Sequence, residues 1–158
     1  MKLLDKLNSQ TIIPSLKSTC KNDVIHELLD YFYKLNFLTS TVKLFSYLDT
    51  QDKEFNSASG RGVAYHYHTS IEVKEMIVVL GISKGGIDYE ATDKLPCHFI
   101  LLILEPKDNL NRHRKFISLF QEMIKDSNIK SKLLESTSFN EAEKIINEWE
   151  NKENYDIL

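Results

Sequence analysis

"PCHFILLILEP", residues 96–106, is a nearly unbroken apolar run, with Pro96 and Pro106 closing it at both ends. A run of this length between residues that cannot extend a ladder reads as a strand covered on both faces, which places it at the centre of a sheet. A second run, "MIVVLGIS" at 76–83, supplies a neighbour, and Lys84, Gly85 and Gly86 read as the turn that ends it. Residues 62–67 give a further strand. Residues 11–16 (TIIPSL) give an edge segment, because Pro14 cannot donate to a ladder.

Outside the strands the apolar residues recur at three and four positions, the helical period. Val24, Ile25, Leu28, Leu29, Phe32 and Leu35 form one stripe over 22–36, with Asn22 placed to cap it. A second helix is predicted from about residue 40, with Val42, Leu44, Phe45 and Leu48 inward. The polar stretch 49–62 reads as a long loop, of the kind that often carries function. Phe116, Leu119, Phe120, Met123 and Ile124 share a face over 111–125. A short helix follows at 129–135, and the last opens at Ser138 with an S-x-x-E capping box to Glu141. The order of elements predicts an α/β fold: a single domain over 1–158 with a mixed central β-sheet flanked by helices.

Composition narrows the function classes. A chain of 158 residues, 42% hydrophobic and 27% charged, can bury one core, and its net charge of −3 offers no electrostatic case for nucleic acid. A protein or a small molecule is the expected partner. Cys20 and Cys97 are far apart and lack metal-ligand spacing, so neither a disulfide framework nor a zinc site is expected, which fits a reducing, cytoplasmic location. The N-terminus meets charge before a signal-like apolar core forms, and the longest apolar run is too short to cross a membrane.

The densest chemistry is "GVAYHYHTS" at 62–70, where Tyr65, His66, Tyr67 and His68 are consecutive. Three readings of the histidines stand: polar residues at a strand end, a nucleophilic imidazole, or an H-x-H pair with both rings on one face for a metal. No third ligand is tied to that pair by sequence, and no cofactor is implied. His98 reads as a histidine bonded at the core edge and His26 as structural. His113, in "NRHRKF", combines an imidazole with helix N-terminal amides and the charges of Arg112 and Arg114, the makings of an anion site or simply a solvated helix start.

Four segments in this order resemble the type-2 enzyme IIA domains of the bacterial phosphoenolpyruvate-dependent phosphotransferase system, particularly the nitrogen-regulatory branch. They are "SASGRGVA" (57–64), "LGISKGGIDYEATDKLPCHFILLILEP" (80–106), "NRHRKFISLF" (111–120) and "LLESTSFNEAEKII" (133–146). In that family a histidine in G-[IV]-A-[IV]-P-H accepts a phosphoryl group from the histidine-containing phosphocarrier protein, aided by an upstream arginine and a second histidine at the head of a later helix. Gly62, Val63 and Ala64 match the motif. Tyr65 stands for the aliphatic residue, His66 for the proline and Tyr67 for the acceptor, while Gln51, followed by Asp52, stands for the arginine. His113 matches the second histidine.

The resemblance therefore implies a familiar scaffold with a degenerate site. One function it implies is a regulatory domain that binds a phosphocarrier protein, a transporter or a regulatory protein without the standard phosphohistidine. The other is an active phosphoryl carrier that uses His68 or His66, with His113 stabilising the phosphoryl group. Side chains on a strand alternate, so His66 and His68 are expected on the face opposite Tyr67, and His68 reaches the acceptor place only through a bulge. Tyr67 is no substitute acceptor, because a phenol with a pKa near 10 is a poor nucleophile at neutral pH.

Overall fold

In a computed structural model of the chain, which describes residues 1–108 and 111–157, the apolar run between Pro96 and Pro106 is the middle strand of a five-stranded sheet. The strands are β1 (Ile12–Ile13), β2 (Ala58–Gly60), β3 (Val63–Thr69), β4 (Ile77–Ile87) and β5 (Cys97–Glu105), in the spatial order β1-β4-β5-β3-β2. β5 runs parallel to β3 and antiparallel to β4, so the sheet is mixed. Its position follows from its composition: Phe99 through Leu104 are all buried, and only a strand with neighbours on both edges and helices on both faces can bury every residue.

Helices α1 (Lys21–Lys34) and α2 (Val42–Glu54) cover one face, packing Leu28, Phe32 and Leu48 against Val79, Ile100 and Leu102. Helices α3 (Arg112–Lys125), α4 (Ser127–Glu135) and α5 (Phe139–Ile157) cover the other, packing Phe116, Phe120 and Ile146 against Leu80, Leu101 and Ile103. A short 3-10 turn at Leu3–Asp5 joins this second layer.

Several local expectations change. Residues 49–54 are the second half of α2, not loop: their polarity marks an exposed helix face, and the Asp49–Lys53 pair at 3.0 Å supports it one turn apart. Val42 is 75% exposed and contributes nothing to the core. Cys20, without a side-chain bond, precedes α1 in the place expected of Asn22. Lys84, Gly85 and Gly86 do not end β4. The strand shifts register between Ile82 and Ile87 and continues, with Gly86 at φ +80° where a Cβ would come within 2.8 Å of Pro96. At α5, Ser138 accepts from Glu141 N as the capping box requires, but the Glu141 carboxylate bonds Thr137.

The segment 70–76 crosses the end of β5 to reach β4, anchored by Ser70 N donating to Glu105 O at 2.9 Å. The carboxyl ends of the parallel pair β3 and β5, this crossing and the start of α3 thereby converge at one end of the sheet, the usual place for a site in such folds.

Candidate functional site

β3 and β5 pair without interruption from Val63–Phe99 to Thr69–Glu105. The register fixes the faces: Tyr65 and Tyr67 lie with Val63, Leu101 and Ile103 toward α3, and His66 lies with Ala64 toward α1 and α2. The irregularity at this edge falls between β2 and β3, at Ala58 and Gly60, and leaves β3 regular. No bulge carries His68 to the α3 side.

Tyr67 instead meets His113. Their rings stack with centroids 3.9 Å apart and planes 22° from parallel. Both point at Glu105, the last residue of β5, which is fully buried. Tyr67 Oη donates to Glu105 Oε2 at 2.6 Å and His113 Nδ1 bonds the same oxygen at 2.8 Å. Oε1 accepts from Arg112 N at 2.9 Å and His113 N at 3.3 Å. Asn111 offers α3 no side-chain cap, so a carboxylate from the sheet takes that role, favoured by the helix dipole.

Electrostatics follow the geometry. Burial alone would raise the Glu105 carboxyl, but the hydrogen bonds from Tyr67 and His113 outweigh it and hold it below the usual carboxylate range. Burial raises the Tyr67 phenol, the adjacent Glu105 raises it further, and Arg114 opposes both, so Tyr67 is a neutral donor. The helix start around His113, expected to be either an anion site or a solvated end, is occupied by the chain's own carboxylate. Nothing in the sequence joined Glu105 to it, since its partners lie at residues 67, 112 and 113. The available signal was a charge ending an otherwise apolar strand just ahead of a helix lacking a capping side chain.

The two neighbouring histidines go elsewhere. His66 is 2% exposed; its Nε2 bonds Tyr89 Oη at 2.8 Å and its Nδ1 lies 3.3 Å from Ser57 Oγ. Burial pushes its pKa down to about 4, Asp52 working against the shift and Lys21 with it, so the ring is neutral. Asp52 and Lys21 pair at 2.9 Å beside it, and Lys21 sits over the Tyr89 ring. His68 is half-buried and stacks on Tyr47, and its Nδ1 donates to Thr69 O at 2.7 Å. Gln51 is an exposed residue of α2. His98 donates from Nδ1 to Ser83 O at the far end of β5, and His26 stacks on Phe45 at the surface. Among the described residues no group of three or more His, Cys, Asp or Glu could hold a metal ion.

The profile of the family described as "Phosphoenolpyruvate-dependent sugar phosphotransferase system, EIIA 2" matches residues 5–149. The chain belongs to that family. It is 26% identical over 148 residues to the fructose-specific EIIABC component of Bacillus subtilis, a match covering 94% of this chain but only 23% of that protein. It is 24% identical over 133 residues to a nitrogen regulatory protein of Bradyrhizobium diazoefficiens, covering 84% of this chain and 86% of that one. The fold agrees. The nitrogen regulatory protein IIA-Ntr of Neisseria meningitidis superposes with a TM-score of 0.73 at 18% identity, covering 90% of this chain and 97% of that one. The mannitol IIA of Escherichia coli gives 0.73 at 18%, covering 89% and 99%. Another solved structure, of mannitol IIA with phosphorylated enzyme IIB from the same organism, gives 0.72 at 16%, covering 89% and 96%. Among the described residues no helix is long and apolar enough to cross a membrane.

Proposed function

We propose that this EIIA 2 domain is a cytoplasmic regulatory module, of the nitrogen-regulatory type, that binds protein partners of the phosphotransferase system and carries no phosphohistidine at the family's position. The single observation behind the reading is the closed constellation of Tyr67, His113 and Glu105. A phosphoryl acceptor needs an unprotonated nucleophile facing donors free to take up charge on the transferred oxygens. Here the nucleophile's place holds a neutral phenol, Gln51 brings no cation, and His113 and the α3 amides are engaged by Glu105. An incoming phosphoryl group would displace a buried carboxylate or share its donors with a second anion. Either is costly at close range.

Partner binding fits the same end of the sheet. Ile71, just past β3, is 85% exposed, and Tyr47, stacked on His68, is 50% exposed, so two large apolar side chains are exposed near the end of β3. Phosphocarrier proteins, transporter components and regulatory proteins are the partner classes the family membership suggests, and the mannitol IIA–IIB complex supports a protein partner by analogy. Ile71→Asp is expected to weaken binding to a cognate partner at least about tenfold with the melting temperature unchanged, because the side chain contributes little to the fold.

The deciding experiment incubates the protein with phosphoenolpyruvate, enzyme I and a phosphocarrier protein and measures intact mass at neutral pH. The mass is expected to stay that of the unmodified chain. One added acid-labile phosphoryl group would sink the reading. A specific feature would then direct attention to His68: its Nδ1–H is committed to Thr69 O, which leaves Nε2 as the unprotonated nitrogen such a transfer requires. His68→Ala would remove the label in that case, and His66→Ala would test the buried ring.

A further inference from the structure

A different cavity lies on the α3 side of the sheet, toward the carboxyl end of that helix. It measures about 220 Å³ and is lined by Ser59, Arg61, Tyr65, Gln121 and Lys125 over an apolar wall of Val63 and Ile124. Tyr65 Oη is buried and has no hydrogen-bond partner; Ser59 and Gln121 stand near it without reaching bonding geometry. Burial raises this phenol's pKa, so it remains a proton donor throughout the physiological range. A buried hydroxyl without a protein partner is a donor available to a hydrogen-bonding group that enters the cavity.

Charge decides what kind of ligand. Arg61 and Lys125 bring two positive charges and no carboxylate lines the cavity. Two acids stand outside the lining: Glu122 pairs with Lys125 at 2.9 Å and offsets part of its charge, and Asp93 accepts from Arg61 N at 2.9 Å beside the Gly60–Arg61 turn, which leaves the Arg61 guanidinium as the principal cation. The end of α3 opposes with about half a negative charge, which is smaller than the charge of Arg61 alone. Size limits the ligand to about seven waters' volume, or roughly ten non-hydrogen atoms. The arrangement is amphipathic: cations and amides at the mouth, apolar walls, and one hydroxyl donor at depth.

We infer that this cavity binds a small organic anion, a carboxylate or a phosphate monoester that carries a second oxygen able to accept from Tyr65. Arg61 and Lys125 hold the anionic group, Gln121 and Ser59 orient it, and Val63 and Ile124 pack its carbon skeleton. Tyr65 stands two residues before Tyr67 on the same strand face, so an occupant would sit one pleat from the Tyr67–His113 stack. A domain without its covalent input at that stack would then have a non-covalent one beside it. The inference does not depend on the reading of Tyr67, because binding is measured on the isolated chain.

The test is a 1H–15N NMR titration of the full chain with inorganic phosphate, glycerol 3-phosphate and malate, ionic strength being matched with sodium chloride because surface cations respond to salt. Saturable shifts are expected at 59–61, 65 and 121–125 for at least one organic anion, with a Kd of about 0.1–5 mM for a ligand of this size. Comparing the two organic probes separates a phosphate monoester from a carboxylate. Arg61→Asn, which keeps the left-handed backbone of that position, and Lys125→Gln should each weaken binding at least about fivefold. Tyr65→Phe should weaken it about threefold or more without lowering the melting temperature, since the hydroxyl has no bond to lose. The inference is overturned if neither organic probe saturates, if inorganic phosphate alone binds, if the shifts centre on 112–113, or if the variants bind as the parent does.

Discussion

Two buried polar residues, one on each face of β3 and β5, contribute to how this protein responds to acid. His66 is neutral between the hydroxyls of Tyr89 and Ser57, with a pKa near 4 against about 6.5 for a free imidazole. The unfolded chain takes up its proton first as pH falls, so stability drops from about pH 6.5 down to about pH 4 and the contribution is gone below that. The difference amounts to roughly 3 kcal/mol. Urea unfolding between pH 7 and pH 4 should show this slope, and His66→Gln, which retains a donor and an acceptor but cannot titrate there, should flatten it. Glu105 acts in a lower window: its folded pKa lies below the ordinary value, so its stabilisation is full above the unfolded pKa and is lost as pH falls through the folded one. Tyr67→Phe leaves that carboxylate one donor short and should cost about 1–3 kcal/mol at pH 7, readable in the same assay. Neither arrangement was legible in the sequence beyond the alternation of β3. That alternation correctly put His66 and Tyr67 on opposite faces. The partners lie far along the chain at Tyr89, Glu105 and His113, and their meeting depends on packing that no local pattern encodes.

Among elements, the central strand was the most legible and the second half of α2 the least, for one physical reason. Full burial of residues 99–104 demands unbroken apolarity, which leaves a single interpretation. Residues 49–54 are polar whether they form a loop or the outer face of a helix, and the burial of Leu48 with the Lys21–Asp52 and Asp49–Lys53 pairs favours the helix. The Gly85–Gly86 pair misleads in a related way, since the conformational freedom that makes a turn also makes a bulge. The turn from β2 into β3 shows the same freedom under tighter constraint. Gly60, Arg61 and Gly62 all have positive φ, and a Cβ on Gly62 would lie 3.2 Å from the backbone oxygen of Pro96. Gly62 O also accepts from both His98 N and Phe99 N, so the turn cannot relax without loosening β5. Gly62→Ala is therefore expected to destabilise the protein by about 1–3 kcal/mol, seen as a lower urea midpoint with an unchanged m-value.

At the scale of the whole molecule the helical layers are held by contacts between distant parts of the chain. Patterning predicted helices on both faces of a mixed sheet, but did not say which helix covers which face, because amphipathic stripes carry no address. One assignment is reinforced by a single polar side chain. Glu150 of α5 is 7% exposed and accepts from Leu3 N at 2.8 Å and Leu4 N at 3.1 Å, which ties the first turn of the chain to its last helix. This carboxylate satisfies amides that a 3-10 turn leaves unpaired, and it holds Leu3 and Leu7 in the core, where both are fully buried. Glu150→Ala removes two charge-assisted bonds and leaves those amides without partners, at an expected cost of about 2–4 kcal/mol. Glu150→Gln keeps one acceptor and should cost less than half as much. Hydrogen exchange separates a local effect from a global one. If Glu150 acts as a staple, the amides of Leu3 and Leu4 lose protection in Glu150→Ala under conditions where those of β5 keep theirs; equal loss at both places would show that the N-terminal turn belongs to the cooperative core and that Glu150 only caps it.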